Sequence, residues 1–267
     1  MDKSRGVMND LKNWITKQIS VEQPKSHSKR FIEQLINLEP IFNSKTLFFE
    51  GVICNDLYKP TSEVIYLKGF KDALENIAYW CCHGRAILTL IPLPIVFLTN
   101  ENFMRAFEKI LIESQLPVGL IRLMLIGSKD FEHKKYEQQL AQLQRLGLIL
   151  ELHHFSGSKN EFNNIKTGFF QGVHLSTNLI RAAMKTSYSF ELFNDLLIIC
   201  NDNNYHVYGE GISLVHDFNF VKENKVQFCY GPLLMPAVSK HQLLKITMSH
   251  FNDFIKNTPK KKIQNGN

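Results

Sequence analysis

Residues 148–158 read Leu148-Ile149-Leu150-Glu151-Leu152-His153-His154-Phe155-Ser156-Gly157-Ser158. Four apolar residues around one Glu make a buried strand, which ends in paired histidines, a Phe and a small-residue turn. A strand that stops this way delivers side chains to a site. On its own the stretch allows metal binding, acid–base chemistry or neither. Its neighbours decide.

Outward from this strand, apolar runs alternate with amphipathic ones. Upstream, strands are predicted at 38–42, 47–54, 86–91 and 120–125, the first two joined by the turn Asn43-Ser44-Lys45. Helical periodicity falls at about 68–83, 102–114 and 132–146. Downstream come strands at 170–175, 205–209 and 226–230, a short helix near 161–167, and helices at 179–201, 214–222 and 240–256. Apolar strands alternating with amphipathic helices predict a parallel sheet with helices outside. Eight such strands without a GxGxxG loop favour a TIM-like (β/α)8 barrel over a doubly wound sheet. Residues 1–30 form an N-terminal extension: Val7, Leu11, Trp14 and Ile15 share one helical face, and 23–28 read as a linker. The barrel is assigned 31–257 and a basic tail 258–267.

The composition excludes several classes. At 267 residues, 44% hydrophobic and 21% charged, the chain is an ordinary globular protein. Part of its net charge of +6 sits in the tail Pro259-Lys260-Lys261-Lys262, and neither a basic face nor a helix-turn-helix cue points to DNA. Five scattered cysteines without a CxxC pair indicate reduced thiols in a cytoplasm. The start lacks a signal-peptide core, and the most apolar run, 86–98, is broken by Pro92 and Pro94. It is shorter than the roughly 20 residues a bilayer needs. A soluble, cytoplasmic protein without cofactor or membrane contact is expected.

In a barrel of this kind chemistry sits at the C-terminal ends of the strands. The residues expected there are Ile53, Thr89, Arg122, His153, His154, His174, Ser176, Glu210 and Cys229. This set is poor in carboxylates.

The same segments carry a family resemblance. Leu38-Glu39-Pro40-Ile41-Phe42 and Gly51-Val52-Ile53-Cys54-Asn55 resemble the YQPIV and GVEAL motifs of bacterial EAL domains, barrels that hydrolyse cyclic di-GMP with two divalent metals. Leu88 through Pro92 is similar to VNLSP, Ile121 through Leu125 to LELTE, and Leu150 through Ser158 to LALDDFGTG. Val173-His174-Leu175-Ser176 is similar to LKID, 207–213 to VAEGVE, and 229–236 to QGYLFSRP. The match runs in order over roughly residues 31–250.

The departures are equally specific. By this resemblance Ile53 replaces the signature Glu, Thr89 the metal-ligand Asn, and Arg122 the Glu of the next strand. His153 and His154 replace the Asp pair, His174 the catalytic Lys and Ser176 the Asp after it. Ser213 replaces the second Glu of VAEGVE and Cys229 the Gln of QGY; Glu210 is retained. Magnesium wants near-octahedral oxygen coordination, and a two-metal site holds its ions about 3.5–4 Å apart. One carboxylate does not suffice, and a cation about 5 Å from a divalent ion costs on the order of 6 kcal/mol at an effective dielectric near 20. No catalytic set and no metal is therefore expected.

Other chemistries fare little better. His153, His154 and His174 with Glu210 make a conceivable zinc or iron set. Neighbours on a strand face opposite sides, however, so at most one of His153 and His154 is expected to point inward unless the strand ends there. Ser156 and Ser158 lack a nucleophile elbow, and Cys229 reads as a buried thiol. Cyclic di-GMP binding without turnover is disfavoured by Leu57 where a phosphate-binding Arg is expected, and by Glu39 in place of a base-contacting Gln.

The resemblance thus implies a non-enzymatic bacterial regulator that uses a degenerate barrel to bind a protein, a transcriptional regulator or signalling protein, in control of motility, fimbrial or biofilm genes. Some degenerate EAL-like proteins act so, one type by binding the master activator of flagellar genes. The alternatives are a cyclic di-GMP receptor or, less favoured, a phosphodiesterase. Trp14, Tyr58, Phe155 and Phe218 are the candidate partner surface.

Overall fold

The computed structural model describes residues 37–127 and 131–244. The expected helical extension with Trp14, the basic tail and both expected domain boundaries lie outside the described residues. Eight strands, β1 (Leu38–Asn43), β2 (Phe49–Cys54), β3 (Leu88–Pro94), β4 (Ile121–Ile126), β5 (Ile149–Phe155), β6 (Gly172–Leu175), β7 (His206–Gly209) and β8 (Phe228–Cys229), close into a barrel in chain order. The described helices are α1 (Glu63–Cys82), α2 (Glu101–Ser114), α3 (His133–Arg145), α4 (Lys159–Ile165), α5 (Thr177–Ala183), α6 (Ser187–Asp202), α7 (Val215–Glu223) and α8 (Lys240–Leu243).

One expectation about the sheet is corrected. It is mixed, because β1 runs antiparallel to both β2 and β8 while the remaining pairs are parallel. The five residues between β1 and β2 are far too few for a parallel crossover, which needs about a dozen, so the pair closes as a hairpin. Asn43 shapes that turn by accepting from the backbone N–H of Lys45 and of Thr46, each at 3.1 Å.

Caps account for most shifted helix ends. Ser62 accepts from the Ile65 N–H and starts α1 five residues ahead of the expected position. The helix expected over 179–201 is two helices, because Ser176 caps α5 and Thr186 caps α6. Ser158 and Glu161 form a reciprocal capping box on α4. From residue 245 the helix expected over 240–256 lies outside the described residues.

Two apolar cores result. The outer one, between barrel and helices, holds Trp80, Phe70 and Phe107, the last two stacked at 4.2 Å. The inner one fills the barrel with Ile41, Ile53, Leu90, Met124, Tyr208 and Tyr230. Among the described residues no helix is long and apolar enough to cross a membrane.

Candidate functional site

Strand alternation decides which side chains enter the barrel. On β3, Leu90 belongs to the inner core and Leu88 packs against it, whereas Ile91 and Leu93 belong to the outer one. Thr89 therefore faces the helices, and its hydroxyl donates to the Ile87 carbonyl at 3.2 Å. This corrects its expected place in the site. The inward residue further along β3 is Pro92, paired in register with Met124 of β4. Arg122, two residues before Met124, points inward but at the start of its strand, away from the mouth. Thr89 and Arg122 thus lie well before the ends of their strands, which run on to Pro94 and Ile126.

At the mouth, β5 ends irregularly. His154 takes φ +57°, and the β5–β6 register shifts between Leu152 and Phe155. A left-handed residue breaks the two-residue alternation, so both histidines turn to one acceptor, contrary to the expectation that they face opposite sides. His154 Nδ1 lies 3.0 Å from Glu210 Oε1, and His153 Nε2 lies 3.5 Å from Glu210 Oε2. Glu210 follows β7 directly, and its carbonyl accepts from the Thr177 hydroxyl at 2.8 Å. A Cβ on Gly211 would come within 2.6 Å of Thr177 Oγ1, and φ +65° there suits glycine. Tyr58 lines the same space, with its ring 5.1 Å from that of His153 and its hydroxyl 3.9 Å from Met124 Sδ.

Electrostatics at the mouth follow burial. Burial depresses His153 to about 4, so its imidazole is neutral at pH 7. Burial alone would raise Glu210, but the hydrogen bond from His154 and the neighbouring imidazoles hold it below the usual carboxylate range. Glu39, opposite Ile53 in the hairpin, is raised by burial and, more weakly, by the charge of Glu210.

Deeper in the barrel lies a second polar cluster that the sequence reading missed. Glu151 is fully buried. Its Oε1 accepts from Arg122 Nη1 at 2.8 Å and from the Tyr208 hydroxyl at 2.9 Å. Its Oε2 lies 2.8 Å from His174 Nε2, whose other ring nitrogen is 3.0 Å from the Tyr230 hydroxyl. The His174 ring stacks on Tyr208 at 4.2 Å. Burial opposes ionisation of Glu151, yet the bonds and charges of His174 and Arg122 outweigh it and keep its carboxyl below the usual range. The available signal was a single Glu inside an apolar strand, since a buried carboxylate requires a charged partner.

The remaining expected residues are structural. Ser176 accepts from the Leu179 N–H as the cap of α5, and Ser213 accepts from Arg181 at 2.8 Å. The Ser156 hydroxyl donates to Glu161. Cys229 is buried and its thiol is pushed up to about 12, which keeps it protonated. Phe155 is fully buried against Phe162 and cannot be partner surface. Tyr58 and Phe218 are half-buried, the latter packed on the outer core. Exposed apolar residues occur elsewhere on the face where the strands end: Val64 (76% exposed) on the first turn of α1, Val96 (63%) after β3, and Val215 (63%) opening α7.

A closed eight-stranded barrel with an antiparallel first strand and a polar mouth at the strand ends defines the class: a (β/α)8-type protein with its candidate site at the C-terminal face. The EAL domain model matches residues 69–237, and the chain belongs to that family. No curated protein matches the sequence. Among solved structures it is similar to the EAL domain of Mycobacterium smegmatis DcpA, at 12% identity and TM-score 0.67, over 82% of this chain and 96% of that one. It is also similar to the Xanthomonas citri FimX EAL domain in complex with c-di-GMP, at 13% identity and TM-score 0.66, over 88% and 94%. A standalone EAL protein from Vibrio cholerae in its c-di-GMP-bound form matches at 16% identity and TM-score 0.62, over 80% and 95%.

The residues present do not fit the two hard cations that the family resemblance implies. Inward positions on β2, β3 and β4 at the mouth carry Ile53, Pro92 and Met124, none of which offers a side-chain oxygen. Among the described residues Glu210 is the carboxylate that His153 and His154 approach, and its buried Oε2 accepts no hydrogen bond.

Proposed function

We propose that this EAL-family chain does not hydrolyse cyclic di-GMP and acts as a regulator by binding a protein through the strand-end face of its barrel. The observation that carries this reading is the trio Ile53, Pro92 and Met124 at the mouth. Two magnesium ions about 3.5–4 Å apart require a dense set of oxygen donors, and Ile53 and Met124 of the inner core, with the buried Pro92 in register with Met124, supply none from their side chains. Arg122 does not contribute to the case, because it is neutralised by Glu151 below the mouth. Val64, Val96 and Val215 support the second half, since exposed apolar groups beside a polar rim are what a partner would cover.

Retained cyclic di-GMP binding is the second reading, favoured by the bound forms of the Xanthomonas and Vibrio proteins. Leu57 weighs against it, being buried rather than a cation presented to a phosphate. Isothermal titration of the full chain with cyclic di-GMP, with and without magnesium or manganese, tests both. No heat at micromolar ligand and no turnover is expected. Metal-dependent hydrolysis would overturn the proposal, and micromolar binding without turnover would establish the receptor reading instead.

A further inference from the structure

A mouth that cannot hold two hard cations presents a donor set suited to one softer ion. The geometry points to a mononuclear site for a zinc-like divalent cation, made by His153 Nε2, His154 Nδ1 and one Glu210 oxygen. These three donor atoms lie within 4.8 Å of one another. His154 Nδ1 is 3.0 Å from Glu210 Oε1 and His153 Nε2 is 3.5 Å from Glu210 Oε2, so each imidazole faces its own carboxylate oxygen. Bonds of about 2.0–2.2 Å in a tetrahedral arrangement place donors about 3.3–3.6 Å apart, a spacing that three donors within 4.8 Å of one another reach by small side-chain rotations.

Three further observations favour an ion over a plain hydrogen-bonded cluster. Glu210 Oε2 is buried and accepts no hydrogen bond, leaving a lone pair directed toward His153. His154 occupies a left-handed backbone conformation that branched or bulky residues avoid, and that bend is what brings the second imidazole to the carboxylate. His154 is also half exposed, so an ion reaches the site from solvent and water completes its coordination. Two imidazoles and one carboxylate suit zinc, iron or nickel, whereas magnesium takes oxygen donors. When the ion enters, it takes the Nδ1 lone pair of a neutral His154 whose ring proton then resides on Nε2, and the hydrogen bond to Glu210 Oε1 is exchanged for the metal bond. The bound ion then ties the end of β5 to the end of β7 across β6.

The test uses the full chain stripped with chelator and titrated with zinc, and with cobalt as a spectroscopic probe. One equivalent is expected to bind, to give the visible bands of four-coordinate cobalt and to raise the unfolding temperature. His154→Ala and Glu210→Gln should each weaken zinc by at least ~10-fold and abolish the temperature shift. His154 is exposed enough that its replacement leaves the fold intact, which circular dichroism checks. Zinc affinity unchanged in both variants would place binding on other histidines and overturn the proposal, as would displacement of zinc by comparable magnesium. Turnover of cyclic di-GMP by the zinc form would remove the proposed function while leaving this site standing.

Discussion

The barrel interior handles charge in two opposite ways. Around Glu151, a carboxylate, a guanidinium, an imidazole and a phenol close on one another at 2.6–2.9 Å, with Arg122 Nε the one buried donor left over. At the mouth, one carboxylate faces two imidazoles at longer range and keeps a buried oxygen without a hydrogen bond. The deep carboxylate is saturated, with both oxygens bonded, and it ties three other strands to β5. The carboxylate at the mouth is not, and an acceptor oxygen without a hydrogen bond is what a ligand can use.

Glu151→Gln tests the saturated side most severely. It leaves Arg122 buried against an uncharged amide, and breaking such a pair costs about 3–5 kcal/mol. Chemical denaturation should read that loss, and a change below about 1 kcal/mol would show that the network is not what holds the interior. Gly172→Ala attacks the same cluster by volume. Its Cβ would lie 2.9 Å from the Glu151 side chain, and overpacking of this sort costs about 1–3 kcal/mol.

Acid should act on the same region with a defined sign. Burial first, then the Arg122 cation, lowers His206 in the folded chain. The unfolded chain therefore takes up that proton first, and stability falls as pH drops below about 6.5. Glu151 adds to the fall at lower pH, because its depressed carboxyl stabilises the fold above its ordinary range and loses that effect as it protonates. Denaturation midpoints should hold from pH 8 to about 6.5 and decline from there to pH 4, with His153 contributing in the same window, and His206→Gln should reduce the decline. A midpoint that rises with acid contradicts the assignment.

The smallest effect is expected at the mouth. Glu210→Gln keeps an acceptor for the half-exposed His154 and removes only the charge that the imidazoles favour, so the metal-free chain should change stability by no more than about 1 kcal/mol. A loss as large as that of Glu151→Gln would erase the contrast between the two regions.

Element order, the eight strands and the family were legible from residues 38–236, because alternation of apolar strands with amphipathic helices and the order of motifs survive in one dimension. That Ile53 and His153 carry no carboxylate is read directly from the sequence. Three matters were not legible. That Thr89 faces outward and that Arg122 sits below the mouth depend on the phase and extent of β3 and β4, which neighbouring strands set through register. The convergence of His153 and His154 depends on one left-handed residue, and a local sequence rule of alternation cannot anticipate it. The partner of Glu151 lies on another strand 29 residues away, and only closure of the barrel brings Arg122, His174 and Tyr208 to it. Chain order determined which residues were available; the geometry of closure decided which of them meet, because side-chain chemistry acts over a few ångströms in space and not along the chain.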